Sequence, residues 1–242
     1  MFKFLKNIMN NEEVNLTNDA YSLHRILKTD IKKDPNVEED EIIFGCGCFW
    51  GAEKCFWKLP GVVTTSVGYA GGEKNNPTYY EVCSGLTGHS EVVRVIWDKR
   101  EIDVSDLLKM FWECHDPTQK NRQGNDMGTQ YRSAIYYKNE NNIQTILASK
   151  EQYQTELSKK NLGLIETEIK MIDSYFYAEQ YHQQYLASAG SRQYCSASPT
   201  KVKLGVFTGS NYKLEDHIWE NFNWEVDKCV LRSDNNPIKN NI

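Results

Sequence analysis

An α+β fold of the ferredoxin-like kind is predicted: a split β-α-β two-layer sandwich, with helices packed on an antiparallel or mixed sheet. Three observations predict it. Segments rich in β-branched residues alternate with segments whose apolar residues recur every three or four positions, in the order β-α-β, β-α-β. A chain of 242 residues buries a sizeable core without disulfide staples. Both ends are polar and weakly periodic, so they read as additions to that core. Residues 1–40 form a partly ordered N-terminal arm, 41–187 the folded body, and 188–242 a C-terminal extension.

The elements follow in order. The arm carries a short helix around Asp19–Leu27. Glu41–Phe44 reads as a strand, and Cys48–Lys58 as a helix with Phe49, Ala52, Phe56 and Leu59 on its apolar side, stopped by Pro60-Gly61. Val62–Val67 is a second strand and Gly68–Asn76 a loop rich in glycine and asparagine. Glu91–Trp97 is the third strand. Val104–Cys114 is a helix capped by Asp103 or Ser105, burying Leu107, Leu108, Phe111 and Trp112. A polar loop, His115–Gly128, leads to the fourth strand, Ser133–Tyr137. A helix at Asn142–Lys160, a strand at Glu166–Ile172 and a helical piece at Ala178–Ala187 complete the body. In the extension, Trp219, Phe222 and Trp224 are the strong apolar anchors.

Composition excludes several classes of function. Thirty-three acidic against 28 basic residues give a net charge of −5. No basic stripe is present, so nucleic acid and anionic membranes have no support as partners. No apolar run approaches the roughly 20 residues of a membrane span. Met1–Asn10 is mildly basic and apolar but lacks a secretory core and cleavage site; it reads as a loosely ordered start, with a mitochondrial presequence as the alternative to a cytoplasmic protein. Seven cysteines, at 46, 48, 55, 83, 114, 195 and 229, with no signal peptide, read as reduced intracellular thiols, one or two of them chemically special.

Phe44-Gly45-Cys46-Gly47-Cys48-Phe49-Trp50-Gly51-Ala52-Glu53 is the most informative segment. Its glycines let a strand turn sharply into a helix, which places Cys48 in the first helical turn. There the unpaired N–H groups and the positive end of the dipole favour a thiolate, the reactive form of cysteine. Three other readings stay open on these residues alone. Cys48 is a small core residue; Cys46 and Cys48 start a metal site, although no second C-x-x-C or histidine pair sits at ligand spacing; or Cys48 works with His89, His115 or His182 as a cysteine hydrolase.

Six segments together resemble the A-type peptide methionine sulfoxide reductases: GCFWGAE (47–53), GYAGG (68–72), PTYYEVCSGLTGHSEVVRV (77–95), FWECHDPT (111–118), QGNDMGTQYRSAIYY (123–137) and YAEQYHQQYL (177–186). They stand in that family's order and spacing, and the resemblance makes 41–187 the catalytic domain. It implies reduction of the S epimer of methionine sulfoxide, free or in peptides and proteins, back to methionine. Cys48 would attack the sulfoxide sulfur and become a sulfenic acid. Glu91 would protonate the departing oxygen, its carboxyl kept neutral by apolar strand neighbours. Tyr79 and Tyr131 would polarise the S–O bond, and Asp126 would hold substrate and water. Phe49 and Trp50 would line a slot for the S-methyl group, although Phe49 also lies on the helix's apolar stripe.

The resemblance also implies a resolving thiol, whose attack on the sulfenic acid forms a disulfide that thioredoxin or a small dithiol reduces. Cys195 is best placed by order, in a Ser/Gly-rich stretch expected to be mobile, with Cys229 as a second relay thiol. The family's glycine-rich tail with recycling cysteines is not evident here. Cys46 lies too close along the chain for an unstrained bridge to Cys48, and Cys55, Cys83 and Cys114 read as inert. No metal, flavin or nicotinamide and no tightly bound cofactor is expected, and a monomer is. A module that binds methionine sulfoxide without turning it over is the competing class; it would have no chemical need for this catalytic set together.

Overall fold

The structure, a computed structural model, describes residues 22–226 and 229–240, without the side chain of Cys229. Six strands form one mixed sheet. β1 (Glu39–Cys46), β2 (Val62–Ala70), β3 (Ser90–Asp98), β6 (Ser133–Tyr137), β7 (Glu168–Met171) and β8 (Tyr175–Tyr177) lie in the order β7-β6-β1-β3-β2-β8. The middle four, β6-β1-β3-β2, are antiparallel throughout, which is the split β-α-β order expected. β7 adds to one edge in parallel and β8 to the other antiparallel. β4 (Arg122–Gln123) and β5 (Asp126–Met127) make a separate small hairpin.

The helices are α1 (Phe49–Trp57), α2 (Tyr79–Cys83), α3 (Val104–Cys114), α4 (Ile143–Lys159), α5 (Asp216–Trp219) and α6 (Cys229–Arg232). β1 is continuously buried from Ile42 to Cys46. Its Phe44 stacks between Phe56 of α1 and Phe111 of α3, with ring centroids 4.8 and 5.1 Å away. That stack ties the sheet to both helices. Asp103 caps α3 by accepting from Ser105 N–H at 2.9 Å, and Asp106 completes a reciprocal capping box.

α1 departs from its one-sided pattern, because all nine of its residues are buried. Residues of the C-terminal extension cover what the sheet does not. Val202, Leu204, Phe207, Leu214, Ile218, Phe222, Trp224 and Val230 join the main core, whereas Trp219 is only half-buried against it. Lys54 donates to Ser233 O at 2.8 Å, and Lys58 to the backbone oxygens of Asp234 and Asn236. Two buried lysines are thereby satisfied by backbone carbonyls, a partner that periodicity does not reveal.

Other boundaries differ from expectation. Ser22–Leu27 forms turns, with a bridge between Leu23 and Asp30, in place of a helix; residues 19–21 lie outside the described part. β2 runs on through Gly68–Ala70, since β8 pairs with it there. α2, β8 and the hairpin inside the 115–128 loop are too short for periodicity to show. The helical piece at 178–187 is two 3₁₀ turns, Gln180–His182 and Tyr185–Ala187. They are broken where Gln184 adopts a left-handed conformation, φ 46°, so that its N–H and side chain reach the buried Glu53 carboxylate at 2.8 and 2.7 Å.

Candidate active site

Gly47 makes the turn from β1 into α1 at φ 87°, and a Cβ there would lie 2.5 Å from Gln123 Cβ. Only glycine satisfies both demands. Cys48 is consequently the N-cap of α1, with φ −54° and ψ 120°, and not a residue of its first turn. It is half-buried.

The expectation of a lowered thiol pKa fails. Burial first, then the carboxyl groups of Glu91 and Asp126, push the Cys48 thiol well up, against the backbone N–H of Trp50. At the helix terminus the free N–H of Phe49 donates to Glu91 Oε2 at 3.1 Å. A carboxyl group, rather than the sulfur, takes that donor. Glu91 is 2 % exposed, and burial lifts its pKa to about 8, with Asp126 and Glu179 adding to the effect. Both Cys48 and Glu91 are thus protonated at neutral pH.

The remaining residues singled out in the sequence share this neighbourhood. Tyr79 feels Glu91 and Tyr131, while Tyr131 feels Glu91, Cys48 and Asp126; burial first, and then these acidic neighbours, keep both hydroxyls protonated. Tyr79 is the first residue of α2, and Glu179 fixes it by accepting its N–H at 2.8 Å and the Tyr69 hydroxyl at 2.7 Å. Trp50 stacks on Tyr185, centroids 3.9 Å apart, and its Nε1–H donates to His182 Nδ1 at 3.1 Å. His182 also packs against Phe49 and Tyr79. An aromatic wall therefore stands beside a cluster of proton-bearing groups. Asp126 Oδ2 and His182 Nε2 are both buried there with no hydrogen-bond partner among the described residues, a cost that a substrate or water contact would remove.

Cys195 is not in a loose stretch. It is 6 % exposed and packs on α1, where its Sγ would lie 2.5 Å from a Cβ placed on Gly51. The preceding Tyr194 donates to Asp126 Oδ1 at 2.6 Å, and Ser198 N–H donates to Gln123 Oε1 at 3.0 Å. Those bonds pin the segment across the site, and the Cys195 thiol acts electrostatically on Cys48. Of the cysteines read as inert, Cys55 and Cys114 are buried. Cys83 is half-exposed, hydrogen-bonds with Tyr79, and is raised to about 11 by burial. Cys229, the other resolving candidate, has its side chain outside the described residues.

Two of the three histidines proposed for a hydrolase are committed elsewhere, and His182 serves Trp50 beside the site. His89 bonds Gly72 N–H and Lys74 O, His115 bonds Phe111 O and Ser133 Oγ, and His182 accepts from Trp50. The groups acting on Cys48 are two carboxyls, the backbone N–H of Trp50 and a thiol. Reasoning from sequence missed Tyr194, Glu179 and Gln123, and it named His182 only as a candidate partner of Cys48 in a hydrolase. Tyr194 had one usable signal, its position next to Cys195; the others act through contacts across distant segments.

Residues 40–212 match the family model described as peptide methionine sulfoxide reductase. A peptide methionine sulfoxide reductase MsrA of Vibrio vulnificus is 53 % identical over 180 residues, 74 % of this chain and 86 % of that one. One of Azotobacter vinelandii is 57 % identical over 164 residues, 68 % of this chain and 76 % of its own. Among solved structures, methionine sulfoxide reductase A of Corynebacterium diphtheriae superposes with a TM-score of 0.67 at 43 % identity, covering 76 % of this chain and 88 % of that one. Reduced Mxr1 of Saccharomyces cerevisiae gives 0.62 at 35 % identity, covering 69 % and 93 %.

Proposed function

Because the chain belongs to the peptide methionine sulfoxide reductase family, we propose that its site reduces the S epimer of methionine sulfoxide through the chemistry of Cys48 and Glu91. The observation that carries this reading is the pairing of a half-buried thiol with a carboxyl group held neutral by burial, joined across the first N–H of α1. A sulfoxide oxygen departs only once it is protonated, and a carboxylic acid near neutrality is suited to give that proton.

The S–O bond lies among the hydroxyls of Tyr79 and Tyr131, which donate to the oxygen as charge builds on it. Trp50, fixed by Tyr185 and His182, receives the S-methyl group, and Phe49 backs it. As Cys48 sulfur attacks, Glu91 protonates the oxygen and takes up the thiol proton. The products are Cys48 sulfenic acid and the methionine thioether, so atoms and protons balance: RSH plus R′₂SO gives RSOH plus R′₂S. Asp126, held by Tyr194, orients substrate and water.

Cys195 then attacks the sulfenic sulfur, releasing water and leaving a Cys48–Cys195 disulfide, which thioredoxin or a small dithiol reduces. Its packing on α1, one turn from Cys48, supports this assignment over Cys229. Substrates are free methionine S-sulfoxide and oxidised methionines in peptides or proteins. Among the described residues no helix is long and apolar enough to cross a membrane, and a reducing compartment that supplies thioredoxin, the cytoplasm first, suits the cycle. The test is dithiothreitol-driven reduction of S-methionine sulfoxide. Cys48→Ser should abolish it, and full activity in that variant would refute the assignment.

A further inference from the structure

Gln184 stands between the two groups that hold Trp50. Two residues before it, His182 accepts the Trp50 indole N–H at 3.1 Å; one residue after it, Tyr185 stacks on the indole at 3.9 Å. Whatever fixes Gln184 therefore fixes both sides of the wall beside the S-methyl group. Its φ of 46° is a conformation that a residue other than glycine keeps only where its surroundings enforce it. The enforcing group is Glu53, one turn along α1 from Trp50. Glu53 Oε2 accepts the Gln184 N–H at 2.8 Å, and Oε1 accepts from Gln184 Nε2 at 2.7 Å. Oε1 also accepts the Thr65 hydroxyl of β2 at 3.0 Å. Three donors thus converge on one fully buried carboxyl, an arrangement that an ionised carboxylate satisfies. Burial pushes its pKa up to about 7 against those bonds.

The bonds continue into the N-terminal arm, ahead of the residues 40–212 that the family model matches. His24 Nδ1 accepts the N–H groups of Ile26 and Leu27 at 3.1 and 3.0 Å. In the neutral ring Nε2 then carries the proton and donates to Thr65 Oγ1 at 2.9 Å. Burial, and after it the charge of Lys28, lowers the His24 pKa to about 3, so the ring is neutral. Every hydrogen runs one way, from His24 through Thr65 to Glu53. Arg25 N–H donates to Gln184 Oε1 at 3.2 Å, which engages both polar atoms of that side chain.

We propose that Glu53 is a positioning residue for substrate: acting through Gln184, it sets His182 and Tyr185 and so holds the Trp50 slot in shape, with the arm closing the network from behind. This rests on the reading of Trp50 as the slot for the S-methyl group. The bonds of Glu53 go to Thr65 and Gln184, not to Cys48 or Glu91. Its loss therefore weakens substrate binding and leaves the chemistry at saturation intact.

The test is single-turnover reduction of methionine S-sulfoxide by the full-length reduced protein, with substrate varied to separate the half-saturating concentration from the limiting rate. Glu53→Gln keeps size and shape but replaces one acceptor oxygen by a donor nitrogen. It should raise the half-saturating concentration on the order of tenfold with the limiting rate kept within about twofold, the signature of lost uniform binding. Gln184→Met removes the side-chain bonds to Glu53 and Arg25; it should act the same way, and it decides the matter if Glu53→Gln does not fold. Trp50→Leu should also raise the half-saturating concentration. In that background Glu53→Gln should add nothing, because the group it acts through is gone. A folded Glu53→Gln protein that melts earlier but saturates as wild type does would overturn the positioning role, and so would a full further rise in the Trp50→Leu background. No rise in Trp50→Leu itself would refute the slot reading, and this proposal with it.

Discussion

Gly51 lies on α1 with its Cα facing the Cys195 side chain, and a Cβ built there sits 2.5 Å from Sγ and 3.2 Å from Cβ of Cys195. Ordinary contact begins near 3.4 Å, so Gly51→Ala forces the sulfur back by about 1 Å, a movement that costs little because Sγ ends a rotatable side chain. Alanine in a helix interior is favoured over glycine by about 1 kcal/mol. The two effects oppose each other, and the folding free energy should change by no more than about 1 kcal/mol either way. Disulfide formation, by contrast, depends on the approach of two sulfurs, and a misplacement of about 1 Å slows an oriented reaction by on the order of 10²-fold.

The assay mixes reduced enzyme with methionine S-sulfoxide and no reductant, then quenches at intervals. Methionine release should keep the wild-type rate in Gly51→Ala, because Cys195 takes no part in that step. Loss of the second thiol should lag far behind, with a sulfenic acid that a dimedone trap captures. Wild-type thiol loss in a folded Gly51→Ala protein would show that the packing of Cys195 on α1 has no bearing on resolution.

Glu91→Gln should slow methionine formation by about 10²–10⁴-fold, the range for loss of a general acid, with substrate affinity nearly kept. With its folded pKa about 8 and an unfolded value near 4.3, Glu91 keeps a proton on folding that the unfolded chain has lost between those limits. Its contribution to stability is complete below the unfolded value and is lost as pH rises through about 8. Glu91→Gln should therefore unfold at higher temperature than wild type at pH 8.5, by at least ~1 kcal/mol of stability, which calorimetry checks. In wild type, the methionine-forming rate should decline as pH passes about 8. Tyr194→Phe removes the donor to Asp126; disulfide formation should slow in rapid-quench experiments, and a hydrogen bond to a charged acceptor is worth about 1.5–3 kcal/mol. Phe44→Ala empties the stack between Phe56 and Phe111, and denaturant titration should show a loss of about 3–5 kcal/mol.

Long elements were legible and short ones were not. α3 spans the very residues its apolar spacing marks, and β6 likewise, since each carries its own period and its own stop signals. α2, β8 and the 3₁₀ turns hold five residues or fewer, and contacts from elsewhere shape them; Tyr79 is placed by Glu179, 100 residues downstream. Cys48 and Glu91 could be named because a resemblance joined motifs that spacing alone leaves separate. What neither spacing nor motif supplied was the surroundings of each group. The 188–242 segment reads as irregular, yet it buries the outer face of α1 and brings Tyr194 and Cys195 to the site.

The reversed direction at Cys48 follows from the same gap. A helix N-terminus lowers a thiol pKa, and the backbone N–H of Trp50 acts that way here, but burial first and then the carboxyl groups of Glu91 and Asp126 outweigh it; Glu91 also takes the Phe49 N–H, from a strand 42 residues away in sequence. The consequence is a site that holds two protons at rest, one on sulfur and one on oxygen, and so avoids two adjacent buried anions. That state suits a reaction in which thiol and sulfoxide become sulfenic acid and thioether with no net proton exchanged with solvent. In the proposed reaction the proton given to the departing oxygen is replaced by the one leaving the thiol, and Glu91 ends as it began. An ionised Cys48 beside an ionised Glu91 would have the nucleophile but lack the acid. The geometry favours keeping the acid, with the thiolate forming only as its proton is passed on.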